Sequence, residues 1–324
     1  MKTCFIGGTG RCGTSILRTI LSRHSRVATL PIEHRLTIDP DGIFDFYRSY
    51  TSGWSPYYAD ARLTRLKNFL EELSSTNPVH KIFRYLFRAF RLAGLSITPK
   101  KYLDVELSHF IPNYSEHVNT LLNELVEFEY TGERLGTGSY SFNNKIQYAP
   151  NYSKEQLKKI FQNFIHSFIQ DILTHNHKDC FIEDNTWNIL FSADLLDLIP
   201  NAKIISVIRD PRDVVASFSK QKWMPSNKAQ SAKIYNDLIV EWIEIRRNLD
   251  KQSWIEVRLE DVVLEPESQI RKICDFIELP WEDNLLEIDL TKSNSGRWKK
   301  DFSVEEQRSV IPLLAEHIKS FGYA

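Results

Sequence analysis

Cys4-Phe5-Ile6-Gly7-Gly8-Thr9-Gly10-Arg11-Cys12-Gly13-Thr14-Ser15, continued by Ile16-Leu17-Arg18-Thr19-Ile20-Leu21, decides how the chain folds. The short apolar run predicts a buried strand and the glycine cluster a tight turn. The Thr/Ser pair followed by apolar residues at helical spacing predicts a helix start. A strand, a glycine loop and a helix in that order leave unpaired N–H groups at the positive end of the helix dipole, where glycines let an anion approach the backbone. Gly10, Arg11, Cys12, Gly13, Thr14 and Ser15 are therefore candidates to hold a phosphate-like group. Gly8 and Gly13 have the spacing of the first half of a nucleoside-triphosphate loop, but Thr14 stands where that motif needs Lys. An ordinary ATPase or GTPase is disfavoured.

Two other stretches extend this start. Arg26-Val27-Ala28-Thr29-Leu30-Pro31 is extended in character, and Pro31 favours an extended residue before it. The following Glu33-His34-Arg35 loop is expected beside the glycine loop, because ligands of open parallel sheets bind beyond the carboxyl ends of the strands. Farther on, Ala202 to Ile208 is a β-branched run that predicts a central parallel strand. Arg209 falls at its carboxyl end, Asp210-Pro211 opens a helix, and Ser217 lies two turns into it. A guanidinium fork and a hydroxyl suit a phosphate monoester. Taken alone, Arg209-Asp210-Pro211-Arg212 reads equally well as a capping salt bridge. A third stretch, Lys292 to Lys300, carries Arg297, Lys299 and Lys300 around Gly296 and has the composition of a lid over an anion.

With 324 residues, 42% of them hydrophobic, the chain has ample material for one large α/β domain or two smaller ones. Its 41 basic and 42 acidic residues nearly cancel, so bulk charge gives no reason to expect a nucleic-acid or membrane partner. Cys4, Cys12, Cys180 and Cys274 are scattered without Cys-x-x-Cys spacing and read as reduced thiols, with no metal expected. Neither a signal peptide nor a run of about 20 apolar residues is evident, so the expected protein is soluble and cytoplasmic. Helices are expected over 61–73, 79–93, 116–129, 190–198, 228–249, 266–277 and 303–321, and strands over 179–184 and 254–259. Residues 39–150, rich in aromatics, read as a helical insert on the substrate side of a single domain over 1–324. Lys81, Arg84, Arg88 and Arg91 share one helical face there, either a solvated surface or a site for an acidic substrate. Phe44, Tyr47, Trp54 and Tyr57 read as packing or as an acceptor pocket.

Together the stretches resemble the sulfotransferases that use 3′-phosphoadenosine 5′-phosphosulfate (PAPS). Residues Gly7 to Ser15 look like their 5′-phosphosulfate loop, Ile208 to Ser217 like their 3′-phosphate motif, and Ser295 to Lys299 like the C-terminal loop of the cytosolic members. The first stretch is most similar to the tyrosylprotein sulfotransferase branch and its bacterial relatives, with Arg11 at the matching position and the Glu33-x-Arg35 pair aligned after a one-residue shift. That resemblance implies an α/β, P-loop-type three-layer fold with a central, mostly parallel sheet flanked by helices. It implies PAPS as donor, 3′-phosphoadenosine 5′-phosphate (PAP) as product, and Glu33 as catalytic base. Arg209, Ser217, Arg297 and Lys299 would bind the cofactor, and His34 and Arg35 the acceptor. Two positions depart from the pattern: relatives carry Lys in the segment that reads Glu183-Asp184-Asn185-Thr186, and an aromatic where Leu259 stands.

Sulfuryl transfer resembles phosphoryl transfer, in which positioning and electrostatics do most of the catalysis. Arg11 and the loop N–H groups suit the leaving phosphate, and a base is needed for the acceptor hydroxyl. Glu33 is that base or a carboxylate paired with Arg35; His24 reads as a helix-end residue, and His34 is open. The acceptor is a hydroxyl of a small molecule, glycan or peptide. A P-loop kinase-like phosphotransferase and a non-catalytic nucleotide-binding protein are the alternatives.

Overall fold

The computed structural model describes residues 1–74, 82, 86, 89, 90, 92–94, 102, 105–132, 145–290 and 294–323. Most of the expected helix over 79–93, including positions 81, 84, 88 and 91, and most of the loop over 132–145 lie outside the described residues, as do 291–293. In chain order the elements begin with β1 (Lys2–Gly8), α1 (Thr14–Leu21) and β2 (Val27–Ala28). There follow α2 (Ile43–Ser52), α3 (Pro56–Ser74), α4 (Tyr114–Leu125), β3 (Phe128–Thr131), β4 (Lys145–Tyr148) and α5 (Lys154–Asn176). The remainder is β5 (Cys180–Asp184), α6 (Ser192–Leu198), β6 (Lys203–Ile208), α7 (Pro211–Phe218), α8 (Lys228–Arg247), β7 (Trp254–Arg258), α9 (Leu259–Leu264), α10 (Pro266–Phe276), α11 (Trp298–Asp301) and α12 (Val304–Ser320). The chain divides into two compact units, one of Met1–Thr29 with Lys178–Ala324 and the other of Leu30–His177.

The first unit holds a five-stranded sheet in the order β2-β5-β1-β6-β7, with every pairing parallel. Parallel strands covered on both faces read as continuous apolar runs, and Ile204, Ile205, Val207 and Ile208 are all buried. β1 is central, with Ile6 opposite both Asp184 of β5 and Ile205 of β6. Ile208 of β6 is in turn opposite Arg258 of β7. The register therefore delivers the residues after β1, β5, β6 and β7 to one end of the sheet. These are Thr9, Asn185, Arg209 and Leu259, so the loops that follow them converge. The edge strand β2 is shorter than expected, pairing with β5 only at Val27 and Ala28. Pro31 has no N–H with which to extend the ladder. Pro211 at the start of α7 and Pro266 at the start of α10 occupy the first turn, where a missing N–H costs nothing.

The second unit packs α2, α3, α4 and α5 beside an antiparallel hairpin of β3 and β4. Phe44, Tyr50, Tyr114, Phe161 and Phe168 are fully buried in it. Tyr114 Oη donates to Leu70 O at 2.9 Å, and Asp60 accepts from Gln147 N at 3.0 Å, so these two buried polar groups are matched. Phe44 and Tyr47 are buried packing residues. Neither α2 nor β4 is among the expected elements, and two more differ from expectation. The helix expected over 116–129 stops at Leu125, because Phe128-Glu129-Tyr130-Thr131 alternates with period two and pairs with β4. The 23-residue α5 was not expected; a capping box between Ser153 and Gln156 opens it.

Candidate active site

The glycine loop turns sharply between β1 and α1: Gly10, Arg11 and Gly13 have φ of 93°, 58° and 106°. Glycine accepts this left-handed backbone without cost, whereas Arg11 does not. Space is equally tight, since a Cβ on Gly13 would lie 2.7 Å from Leu259 Cδ1. Leu259 thus packs on the loop where relatives carry an aromatic. A Cβ on Gly8 would run into Cys12 Sγ, which folds beneath the loop and is fully buried. Burial raises the Cys12 thiol above its ordinary pKa, partly offset by the N–H groups of Thr9, Gly10, Cys12 and Thr14. Cys12 is a protonated packing residue whose place keeps the loop shape. Thr14 is buried and Ser15 exposed at the first turn of α1.

Tertiary structure brings the first two stretches into direct contact. Arg11 Nε donates to Ser217 Oγ at 3.0 Å, across 206 residues of chain. Arg209 Nη1 donates to Arg11 O at 3.2 Å, and Arg209 Nη2 to Asn294 O at 2.7 Å. Ser217 and Arg209 are buried, whereas Arg11 is exposed. The Arg212 guanidinium meets the Asp210 carboxylate at 2.7 Å, and Asp210 also caps α7 by accepting from Arg212 N. The capping reading is realised by Arg212, whereas Arg209 reaches the backbone carbonyls of Arg11 and Asn294.

Asp213 was not singled out in the sequence and holds the third stretch in place. Its carboxylate, fully buried, accepts from Gly296 N at 2.7 Å and from Trp298 N at 2.9 Å. It lies 3.5 Å from Arg209 Nη2. One carboxylate thus ties the C-terminal loop to the Arg209 motif. Its only sequence signal is an Asp one turn into a helix, which ordinarily reads as dipole compensation. Replacing Asp213 by Ala strands a buried guanidinium and two N–H groups, so it should cost about 3–5 kcal/mol. Thermal melting of the variant checks this, with Asp213→Asn expected to lose less. In the same loop Arg297 Nε bonds Asp301 at 2.9 Å, and Lys299 Nζ lies 5.9 Å from the centre of the Trp298 ring.

Arg18 and Asp184 form a second pair not anticipated in the sequence. Their contact of 2.6 Å joins α1 to the end of β5, in the segment where relatives carry Lys. Arg18 stands four residues after Thr14, on the same face of α1.

Glu33, His34 and Arg35 belong to the second unit. Glu33 Oε2 is ion-paired with Arg35 Nη2, and Arg35 Nη1 is 3.7 Å from Asp39. Burial raises the Asp39 carboxyl above its usual range, against the opposing effects of Tyr102 and Arg35. His34 is buried, its ring edge-on to Phe168 at 5.7 Å, and its Nδ1 accepts from Leu36 N at 3.1 Å. Desolvation, aided by Arg35, lowers its pKa to about 3. His34 is thus a neutral interior histidine. Its folded pKa lies below the unfolded one of about 6.5, so its contribution is complete above that pH and is lost as pH falls toward 3. Between pH 7 and pH 5 it should account for about 2 kcal/mol of lost stability. Denaturant unfolding at the two pH values, compared with His34→Gln, measures this. His24 is also held in packing: Nε2 bonds Pro280 O at 2.9 Å and Nδ1 accepts from Arg26 N at 3.0 Å.

Among the described residues, no group of three or more His, Cys, Asp or Glu is placed to hold a metal ion. No described helix is long and apolar enough to cross a membrane.

The site at the end of the sheet combines a helix-start glycine loop with a separate guanidinium and hydroxyl. A family model described as "Sulfotransferase family" matches residues 4–283, which include both. The chain belongs to the sulfotransferase family. Protein-tyrosine sulfotransferase A of Caenorhabditis elegans is 28% identical to this family member over 136 residues, 40% of this chain and 36% of that protein. The protein-tyrosine sulfotransferase of Drosophila melanogaster is 33% identical over 97 residues, 28% of this chain and 19% of that one. The chain spans less than two-thirds of the length of these relatives. Among solved structures, the sulfotransferase domain of the Synechococcus PCC 7002 olefin synthase aligns over 96% of this chain and 86% of its own, with TM-score 0.46 and 15% identity. Sulfotransferase STF9 of Mycobacterium avium aligns over 99% of this chain and 76% of its own, with TM-score 0.46 and 11% identity.

Proposed function

We propose that this sulfotransferase-family chain moves a sulfuryl group from PAPS to an acceptor hydroxyl. The observation that carries this is the network of Arg11, Ser217 and Arg209 beside the α1 N-terminus. A glycine-loop cradle and an adjoining guanidinium–hydroxyl pair fit a nucleotide that bears substituents at both its 5′ and 3′ positions. When bound, PAPS supplies an activated S–O bond. The N–H groups of Cys12 to Ser15 and the Arg11 guanidinium hold the 5′-phosphate and stabilise the charge that grows there. Arg209 and Ser217 hold the 3′-phosphate. The C-terminal loop, with Arg297 and Lys299, covers the anion from the side fixed by Asp213.

Glu33 takes the proton of the acceptor hydroxyl, and Arg35 orients that carboxylate and meets the acceptor. His34, neutral and interior, supports the Glu33 loop from behind. The segment over 39–150 supplies the acceptor side. Tyrosine hydroxyls of a protein or peptide are the favoured acceptor class, on the strength of the relatives named protein-tyrosine sulfotransferases.

The test is thermal. At 100 times its Kd, PAP should stabilise the protein by about 2.7 kcal/mol and raise its melting temperature by several degrees. AMP, lacking the 3′-phosphate, should do so much less. Equal shifts would remove the role given to Arg209 and Ser217.

A further inference from the structure

Residues 185–187 run alongside the glycine loop. Asn185 N donates to Ile6 O at 3.2 Å, and Gly8 N donates to Thr186 O at 3.0 Å. A Cβ on Gly10 would lie 3.0 Å from Thr186 Cγ2 and 3.1 Å from the tip of the Trp223 ring. Trp223, 49% exposed, meets Trp187 edge-to-face at 6.3 Å and Phe218 at 5.7 Å. The loop thus has two flanks, one packed on Leu259 at Gly13 and the other on Trp223 and Thr186 at Gly10.

The Gly10 flank carries two side-chain donors with no hydrogen-bond partner among the described residues. Asn185 is fully buried, yet its Nδ2 bonds nothing, while its Oδ1 is 3.5 Å from Trp187 N. Trp187 Nε1 is shielded from solvent and likewise has no acceptor. By contrast the neighbouring Asn188 Nδ2 is engaged, donating to Ile6 O and to Glu183 Oε2. A buried donor left unpaired forfeits the hydrogen bonds that water would give it, so two in one three-residue segment call for an acceptor from outside the chain.

We propose that Asn185 Nδ2 and Trp187 Nε1 donate to the oxygens of the sulfuryl group, as two neutral donors. The proposal rests on the PAPS reading of the site. Neutral donors suit a terminal group that carries one negative charge spread over three oxygens. A dianionic terminal phosphate would call instead for charge-assisted contacts. The Trp187–Trp223 pair keeps water from these bonds, and in that low-dielectric setting each is worth more than at the surface.

PAPS and PAP differ only by the sulfuryl group, so their relative affinities isolate these contacts without turnover. Equilibrium binding of both nucleotides, without acceptor, is measured for the wild type, Asn185→Ala and Trp187→Phe. Each variant should lose about tenfold in affinity for PAPS, equivalent to 1.4 kcal/mol, and hold its PAP affinity within about twofold. Trp187→Phe keeps the ring against Trp223 and tests the donor even if Asn185→Ala fails to fold. Equal losses for both nucleotides, or no loss for either, overturn the proposal. A wild type that binds neither nucleotide overturns the PAPS reading itself, a separate result.

Discussion

Replacing Arg11 by alanine lowers the rate of sulfuryl transfer by about 10²- to 10³-fold, the usual loss on removing one preorganised donor from the place where charge develops. Arg11 is the exposed cation of the glycine loop, and its side chain already reaches Ser217 at 3.0 Å. Its backbone carbonyl, which accepts from Arg209 at 3.2 Å, survives the substitution. Arg209 and Ser217, the groups proposed for the 3′-phosphate, therefore stay in place, and PAP affinity should fall far less than the rate. Single-turnover transfer beside PAP binding separates the two effects. An equal loss in both would make Arg11 a binding residue with no part in the reaction. Alanine also has to keep the left-handed backbone, φ 58°, so Arg11→Lys serves as the variant that retains a cation.

Replacing Glu33 by glutamine lowers transfer by about 10²- to 10⁴-fold, the range for loss of a general base. The substitution keeps the shape of the side chain and removes the negative charge. It also breaks the ion pair with Arg35, whose side chain is 34% exposed against 22% for Glu33. Such partly exposed pairs contribute about 0–1 kcal/mol, so folding and PAP binding should persist. Transfer measured across pH, with melting and PAP binding as controls, checks the assignment. A variant with unchanged transfer would leave Glu33 as the partner of Arg35 and nothing more.

The glycine loop was legible because strand, turn and helix are each encoded over a few neighbouring residues. Arg209 and Ser217 were legible for a similar reason: a β-branched run ending at Asp210-Pro211 marks both a strand end and a helix start. The long helix α5 escaped notice despite its Ser153/Gln156 box and the apolar series Leu157, Phe161, Phe164 and Phe168. Phe128 to Thr131 reads as helix or strand until β4 is there to pair with it. His34, polar and beside Glu33, looked like an acceptor contact; its burial against Phe168 was decided by packing.

By itself, then, the sequence determined the strand–loop–helix cradle, the Arg209–Ser217 motif and the parallel character of the sheet, because each follows from local periodicity and turn chemistry. The tertiary structure alone decided which of these groups meet. Strand order β2-β5-β1-β6-β7 places Arg11 on Ser217 across 206 residues, lays Leu259 under Gly13, and sets Asp213 as the anchor of the C-terminal loop. Contacts of that kind depend on the register between strands distant in the chain, which no local pattern records.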